Sequence, residues 1–223
     1  MDETDQVRAR VYLISPPTLP DITVFADAFR AALSGGDVAC FQLRLKSPAG
    51  EPAPDDDVLR ATEALLPIAK AADVAFLMND RPDLAQASGA DGVHVGQSDA
   101  SCREARALLG PDASIGVTCH ASIDLGFKAG EDGADYAAFG AFFPTETKSA
   151  PTQAPISVLE QWREATVLPC VAIGGVTAQN CGPLVRAGAD FLAVSAGVWR
   201  APEGPEAAVA ALNSAIDRAN DSE

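Results

Sequence analysis

Short apolar stretches rich in β-branched residues alternate along this chain with longer amphipathic stretches rich in Ala and Leu. This alternation is typical of repeated βα units around a parallel sheet, and it predicts eight such units. The predicted strands cover residues 11–15, 38–43, 75–78, 92–95, 114–118, 136–139, 170–173 and 191–194. The predicted helices lie near residues 22–34, 57–71, 81–88, 99–109, 121–131, 156–164, 177–187 and 205–219.

Eight βα units can close into a barrel or form an open, doubly wound sheet, and periodicity does not separate the two. A barrel gathers its chemistry at the carboxyl ends of many strands, whereas an open sheet often has a glycine-rich loop after its first strand. The first predicted strand is followed by PPTLPD, which contains no glycine, and the distinctive polar residues follow strands two to eight. We therefore expect an α/β fold with one (β/α)₈ TIM-barrel domain over residues 1–223, of which residues 1–9 form a flexible N-terminal segment.

The composition restricts the partners that this domain can have. Hydrophobic residues make up 48% of the chain and aromatic residues 6%, which suits a parallel sheet covered by helices. The formal net charge is −15, so attraction to nucleic acid or to an anionic membrane surface is not expected. If the substrates are phosphates, the few Lys and Arg residues must be concentrated at the place where they bind.

The cysteines and the N-terminus indicate a reducing, cytoplasmic location. The five cysteines are an odd number without a C-x-x-C pair, which argues against a disulfide framework or a zinc site. We expect them to be reduced and mostly buried. The N-terminal sequence MDETDQVRAR lacks an apolar core, and no run of about 18 apolar residues occurs in the chain.

Alternating polar residues follow the second predicted strand. The side chains of Gln42, Arg44 and Lys46 point the same way, because strand side chains repeat every second residue. On a strand that enters a barrel this face is inward, where two cations are costly unless an anion binds them. A solvated edge segment is the alternative, but the flanking Phe41 and Leu43 disfavour it.

Carboxylates follow the third and fourth predicted strands. Asp80 comes directly after Asn79, and Asp99 follows the strand that contains His94. Each Asp could simply cap the helix that follows it, since Asp is a favoured N-cap residue. The alternative is a Mg²⁺ site, because proteins hold Mg²⁺ through a couple of carboxylates together with substrate phosphates.

The fifth predicted strand ends in Thr118, Cys119 and His120. Residues adjacent in sequence rarely bring a thiol and an imidazole within mutual reach, so we interpret Cys119 as structural. His120 is one of two histidines and is a candidate for proton transfer or hydrogen bonding.

The loops after strands six, seven and eight have compositions that suit phosphate binding. Thr145, Thr147 and Lys148 offer two hydroxyls and an ammonium group within four residues. Gly175 and Ser195 lie in loops of small residues, which can expose backbone amides to a phosphate. Ordinary solvated loops and tight βα turns are the alternatives.

Taken in order, these segments resemble the thiamine phosphate synthase family, which also includes the thiazole tautomerase. The likeness rests on QLRLK, MNDRPDLA, GADGVHVGQSD, IGVTCH, GADYAAFGAFFPTETK, VAIGGVTAQN and VSAG, which together span residues 42–197. The resemblance implies a (β/α)₈ barrel that joins hydroxymethylpyrimidine diphosphate to hydroxyethylthiazole phosphate and releases pyrophosphate. It also implies small-molecule substrates and a Mg²⁺ cofactor, and a homo-oligomer is compatible with it. Neither nucleic acid nor a membrane is expected as a partner, because of the negative net charge.

The resemblance assigns roles by position. Asp80 and Asp99 would hold Mg²⁺, and Gln42 would contact the pyrimidine. The residues implied for the diphosphate are Arg44, Lys46, Asn79, Thr118 and Lys148, of which Arg44, Lys46 and Lys148 would be catalytic. Those implied for the thiazole phosphate are Thr145, Thr147, Gly175 and Ser195.

Two other functions stay open on the sequence. A thiazole tautomerase would share the barrel and the thiazole phosphate pocket, with His120 as its acid or base. A non-catalytic barrel that binds a phosphate ligand is the other alternative, since a fold does not fix a function. The combination of Asp80, Asp99 and Lys148 favours the synthase, because a tautomerase needs neither a diphosphate nor a metal.

Overall fold

The structure, a computed structural model, describes residues 8–47, 50–144 and 153–221. The strands within these ranges are β1 Arg10–Ile14, β2 Val38–Leu43, β3 Ala75–Asn79, β4 Gly92–Val95, β5 Ser114–His120, β6 Tyr136–Gly140, β7 Cys170–Ile173 and β8 Phe191–Val194. The helices are α1 Ile22–Ser34, α2 Asp55–Ala71, α3 Pro82–Ser88, α4 Cys102–Leu109, α5 Ile123–Glu131, α6 Ser157–Ala165, α7 Gly182–Arg186, α8 Ala196–Trp199 and α9 Pro205–Asn220.

The strands close into a parallel barrel in chain order. The first strand, β1, pairs with β2 on one side and with the last strand, β8, on the other. Leu13 lies opposite both Phe41 and Val194, so the closure is continuous. The prediction of a single-domain (β/α)₈ barrel is therefore confirmed, and the open sheet is excluded.

Side chains along each strand point alternately outward and inward, and this gives the barrel two apolar layers. Val11 and Leu13 face outward and join the large core in which helix residues such as Phe29 and Leu65 are buried. The intervening residues fill the barrel interior, which contains Tyr12, Ile14, Cys40, Leu77, Tyr136, Ala138, Val171 and Ala193.

The predicted elements are confirmed, but their ends shift where side chains intervene. The helix predicted near residues 177–187 covers Gly182–Arg186. Asn180 holds the preceding turn, because its amide nitrogen donates to the Gly175 carbonyl and its amide oxygen accepts from Thr177 N–H. The sequence also did not predict α8, a four-residue helix directly after Ser195.

The described chain begins two residues before β1. Arg8 donates hydrogen bonds to Asp37, Asn213 and Asp217, and Ala9 is 1% exposed. These contacts connect Arg8 to Asp37, which directly precedes β2, and to α9, while the flexibility expected of residues 1–9 stays a prediction. Residues 1–7 lie outside the described residues.

All five cysteines are buried and free of disulfides, as expected. Burial raises the pKa of the Cys119 thiol to about 12, so it is protonated at neutral pH. This agrees with a structural role for Cys119. Among the described helices, none combines the length and the apolar character that a membrane span requires.

We expect Gly116→Ala to lower the free energy of unfolding by about 1–3 kcal/mol, because overpacking a filled core forces side chains or backbone to shift. Gly116 lies on β5, and a Cβ there would overlap the ring and hydroxyl of Tyr136 inside the barrel. Urea denaturation measures the change. Gly130→Ala is the matched control, because Gly130 is exposed within α5 and alanine favours a helix. Equal stability of the Gly116→Ala variant and the unmodified chain would contradict the packing described here.

Candidate active site

Asp80 follows β3 and does not cap the next helix. Arg81 occupies the N-cap position of α3 and forms ion pairs with Asp55 and Asp83. Asp80 has a left-handed backbone, with φ of 63°, and its N–H donates to the His94 carbonyl at 2.8 Å. Such a conformation is uncommon outside glycine, although Asp and Asn tolerate it. The capping alternative for Asp80 is therefore wrong.

The capping alternative for Asp99 is also wrong, because α4 begins later than predicted. Ser101 is the N-cap residue, and it forms a capping box with Glu104. The Asp99 carboxylate instead accepts a hydrogen bond from Gly96 N–H at 2.8 Å within the loop after β4. Both carboxylates are thus released from helix termini.

These two carboxylates meet a cation at the carboxyl end of the barrel. Lys46 Nζ lies 2.9 Å from Asp80 Oδ2, and the two side chains are 15% and 22% exposed. Partial burial and the neighbouring Asp80 charge raise the pKa of Asp99. Burial lowers the pKa of Arg44, and the nearby Asp80 opposes that shift. Arg44, Lys46, Asp80 and Asp99 therefore form one charged cluster, as the sequence predicted.

The donor set of this cluster fits a hard divalent cation. The ionised form of Asp99, which the neighbouring Asp80 charge disfavours, would be stabilised by a positive charge between the two carboxylates. Within the described residues, no group of three or more His, Cys, Asp and Glu side chains could enclose a metal by itself. A site with two carboxylates leaves room for water and phosphate oxygens, which is how Mg²⁺ is commonly bound.

The amide and hydroxyl predicted at neighbouring strand ends lie beside this cluster. Gln42 Nε2 donates to Asn79 Oδ1 at 2.6 Å, and Asn79 directly precedes Asp80. Thr118 Oγ1 contacts His94 Nε2 at 2.8 Å, while the Thr118 carbonyl accepts from Gln97 Nε2 at 2.6 Å. The structure thus brings Gln42 and Asn79 into contact. The Thr118 hydroxyl is held in place by its hydrogen bond with the His94 ring.

Ser15 connects the loops after β8 and β2. Its backbone carbonyl accepts from Ser195 Oγ at 3.2 Å, and its own hydroxyl accepts from Arg44 N–H at 2.9 Å. Ser15 is 1% exposed, so this link is shielded from solvent. Gly175 follows β7 with φ of 63°, and it lies against Phe143 and Pro144 of the loop after β6. Gly175 and Ser195 therefore lie at the same end of the barrel as the charged cluster.

Three of the predicted site residues, Thr145, Thr147 and Lys148, lie outside the described residues. The described chain on either side of them is anchored at this end of the barrel. Phe143 N–H donates to the Gly174 carbonyl, and Ala154 N–H donates to the Ala141 carbonyl. Both flanks of the segment therefore start from the rim next to Gly175.

His120 and His94 have different surroundings. His120 is exposed and has a left-handed backbone, with φ of 52°. His94 is 7% exposed, and its two ring nitrogens contact Tyr136 Oη at 3.1 Å and Thr118 Oγ1 at 2.8 Å. The imidazole inside the barrel is thus His94, whereas the sequence had favoured His120.

Three polar residues of the barrel interior were missed from the sequence: Tyr12, His94 and Tyr136. A signal for them was present, because the chain has two tyrosines and both lie within predicted strands. A buried Tyr usually finds a partner for its hydroxyl. Tyr12 and Tyr136 are 124 residues apart, so the sequence did not reveal that each is the partner of the other.

Comparison with known proteins gives one consistent result. The sequence profile described as thiamine monophosphate synthase matches residues 11–198. A thiamine-phosphate synthase of Rhodospirillum centenum is 58% identical over 92% of this chain and 96% of that protein. One of Hyphomonas neptunium is 50% identical over 94% and 95% of the two chains.

A solved structure has the same architecture. The thiamine phosphate pyrophosphorylase of Pyrococcus furiosus superposes with a TM-score of 0.81 at 28% sequence identity, covering 96% of this chain and 98% of that one. The profile match includes every strand end that contributes to the charged cluster. This chain therefore belongs to the thiamine monophosphate synthase family.

Proposed function

We propose that this chain, as a thiamine-phosphate synthase, is a transferase that condenses hydroxymethylpyrimidine diphosphate with hydroxyethylthiazole phosphate. The observation that carries the proposal is the charged cluster of Arg44, Lys46, Asp80 and Asp99 at the carboxyl end of the barrel. Cations beside paired carboxylates suit a diphosphate that arrives with a divalent metal. A tautomerase would have no use for this cluster, and its candidate base, His120, is exposed.

The reaction would exchange one bond to a methylene carbon for another. The C–O bond between this carbon and the diphosphate breaks, and its electron pair leaves with pyrophosphate. The thiazole nitrogen then supplies its lone pair to form the new C–N bond. An electron-rich aminopyrimidine stabilises the positive charge on the carbon, so the transfer is largely dissociative and needs no protein nucleophile.

The proposed roles of the residues follow from their charges. Asp80 and Asp99 would hold Mg²⁺, which would supply positive charge against the growing charge on the leaving group. Arg44 and Lys46 would add to that stabilisation from fixed positions, with Lys148 as a further cation outside the described residues. Gln42 would contact the pyrimidine, and Asn79 and Thr118 would bind the diphosphate.

The second substrate would occupy the other half of the rim. Thr145, Thr147 and backbone amides near Gly175 and Ser195 would bind the thiazole phosphate. The Ser15 link joins this half to Arg44, so the barrel would hold the thiazole nitrogen and the methylene carbon at a fixed separation.

Incubation of the purified protein with both substrates and Mg²⁺ tests this proposal. We expect thiamine phosphate and pyrophosphate in equal amounts, loss of both after chelation, and recovery on adding Mg²⁺. Proton exchange on the thiazole phosphate that persists after chelation, without pyrophosphate release, would identify a tautomerase. Tight binding of either phosphate without any turnover would identify a binding barrel, and both results would contradict the proposal.

A further inference from the structure

A continuous chain of hydrogen-bonded side chains crosses the barrel interior below the charged cluster. Tyr12 Oη lies 2.9 Å from Gln42 Oε1 and 3.0 Å from Tyr136 Oη. Tyr136 Oη lies 3.1 Å from His94 Nδ1. At the other end, Gln42 Nε2 donates to Asn79 Oδ1 at 2.6 Å. Thr118 Oγ1 lies 2.8 Å from His94 Nε2, so the chain joins six strands, and its other end is Asn79, a residue proposed to bind the diphosphate.

The inner members of this chain are shielded from solvent. Tyr12 and Gln42 are 2% and 3% exposed, and His94 and Tyr136 are each 7% exposed. Burial raises the pKa of both tyrosines well above the ordinary value, so each hydroxyl keeps its single proton. Each hydrogen bond in the chain therefore contains one proton, and one of its two partners must donate it.

Because each hydroxyl can donate only once, all hydrogen bonds along the chain must point the same way. Gln42 Oε1 only accepts, so the Tyr12 proton goes to it. Tyr12 must then accept from Tyr136, and Tyr136 in turn must accept from a proton on His94 Nδ1. A neutral His94 then has no proton on Nε2, so in the unliganded barrel this nitrogen accepts from Thr118 Oγ1. With Gln42 so oriented, Asn79 uses its carbonyl oxygen towards Gln42 and retains its NH₂ group for another acceptor.

The opposite direction would have the opposite consequence for an anion. Gln42 would donate to Tyr12, Asn79 would donate to Gln42, and Tyr136 would donate to an unprotonated His94 Nδ1. Asn79 would then offer its carbonyl oxygen to the ligand, which repels a diphosphate. A diphosphate accepts hydrogen bonds and does not donate them, so the first direction suits donation from Asn79. The reverse direction would put the proton on His94 Nε2 and leave the Thr118 hydroxyl as the donor instead.

We propose that Tyr12, Tyr136 and His94 are positioning residues, which fix the amide orientation of Gln42 and Asn79 so that Asn79 donates to the pyrimidine diphosphate. They act through Gln42 and do not take part in bond breaking. The kinetic part of this inference rests on the proposed function. The direction of the chain is independent of it, because it concerns protons inside the unliganded barrel.

Nuclear magnetic resonance of ¹⁵N-labelled histidine tests the direction. The protein has two histidines, so a His120→Gln variant is enough to assign the His94 signals. We expect a proton on His94 Nδ1 in the unmodified protein. An unprotonated His94 Nδ1 would mean the reverse direction and would overturn the inference, whatever the enzyme's activity.

Tyrosine-to-phenylalanine variants test the positioning role. We expect Tyr12→Phe to raise KM for the pyrimidine diphosphate about 10-fold, since it removes the donor to Gln42, and to leave KM for the thiazole phosphate within twofold. Tyr136→Phe should have a smaller effect on the same KM, because Tyr12 can still donate to Gln42. Thr62→Val is the matched control, since it removes a buried hydroxyl that bonds within α2.

A double-mutant cycle separates positioning from general destabilisation. In a Gln42→Met background, Tyr12→Phe should change KM for the pyrimidine diphosphate less than twofold, because its partner is already gone. Independent, multiplicative effects of the two substitutions would overturn the inference. So would an equal rise in both KM values, which would indicate a loss of structure.

Discussion

Replacing Asp80 by Asn is expected to lower kcat/KM for thiamine phosphate formation by about 10²- to 10³-fold, the range typical for loss of one fixed electrostatic contact in an active site. The substitution keeps the size of the side chain and one oxygen atom but removes its charge. Asn also tolerates the left-handed backbone at this position, where φ is 63°, so the loop should keep its shape. The loss should therefore report on metal binding and on the pairing with Lys46.

Metal dependence gives the second measurement for Asp80→Asn. The Mg²⁺ concentration that gives half-maximal rate should rise, and excess Mg²⁺ should restore part of the activity. Asp73→Asn is the matched control, because Asp73 also has a left-handed backbone, with φ of 55°, and is exposed before the amino end of β3. An Asp80→Asn variant with an unchanged rate and Mg²⁺ requirement would remove Asp80 from the proposed metal site.

The barrel and the charged cluster were predictable because they depend on local patterns. The alternation of Gln42, Arg44 and Lys46 identified one face of a strand and its extension. Asp80 and Asp99 lie two and four residues beyond the ends of predicted strands, and the carboxyl ends of barrel strands meet at one rim. The family resemblance then assigned Mg²⁺ and diphosphate roles to these residues, which remain proposals.

The helix caps were harder to predict, because several residues compete for one position. Both Asp99 and Ser101 precede the same amphipathic stretch, and each is a good N-cap residue. Glu104 decides between them, since it completes a capping box with Ser101. This choice determines whether Asp99 stabilises a helix or stays available at the rim.

The interior hydrogen-bond chain could not be predicted, because its contacts are remote in sequence. The bond between Tyr12 and Tyr136 joins β1 to β6 across the closed barrel. Sequence periodicity indicates that both side chains are inward, but it does not say which inward residues lie at the same level. That depends on the stagger of the strands, which the structure supplies.

We expect Arg44→Met to lower kcat/KM for the pyrimidine diphosphate by about 10²-fold, because a partly buried cation that would stabilise the leaving anion is lost. Burial lowers the pKa of Arg44, so its charge is held in place at some cost, which a bound diphosphate would offset. The affinity of pyrophosphate, measured by calorimetry with Mg²⁺ present, should fall as well. KM for the thiazole phosphate should change little.

Two further variants make the Arg44 result specific. Arg44→Lys should recover part of the loss, since an ammonium keeps the charge but cannot form the paired hydrogen bonds of a guanidinium with a phosphate. Arg60→Met is the matched control, because Arg60 is exposed on α2 and pairs with Asp57 one turn away. If Arg44→Met weakened both substrates equally, or left pyrophosphate binding intact, Arg44 would act on the shape of the loop and not on the diphosphate.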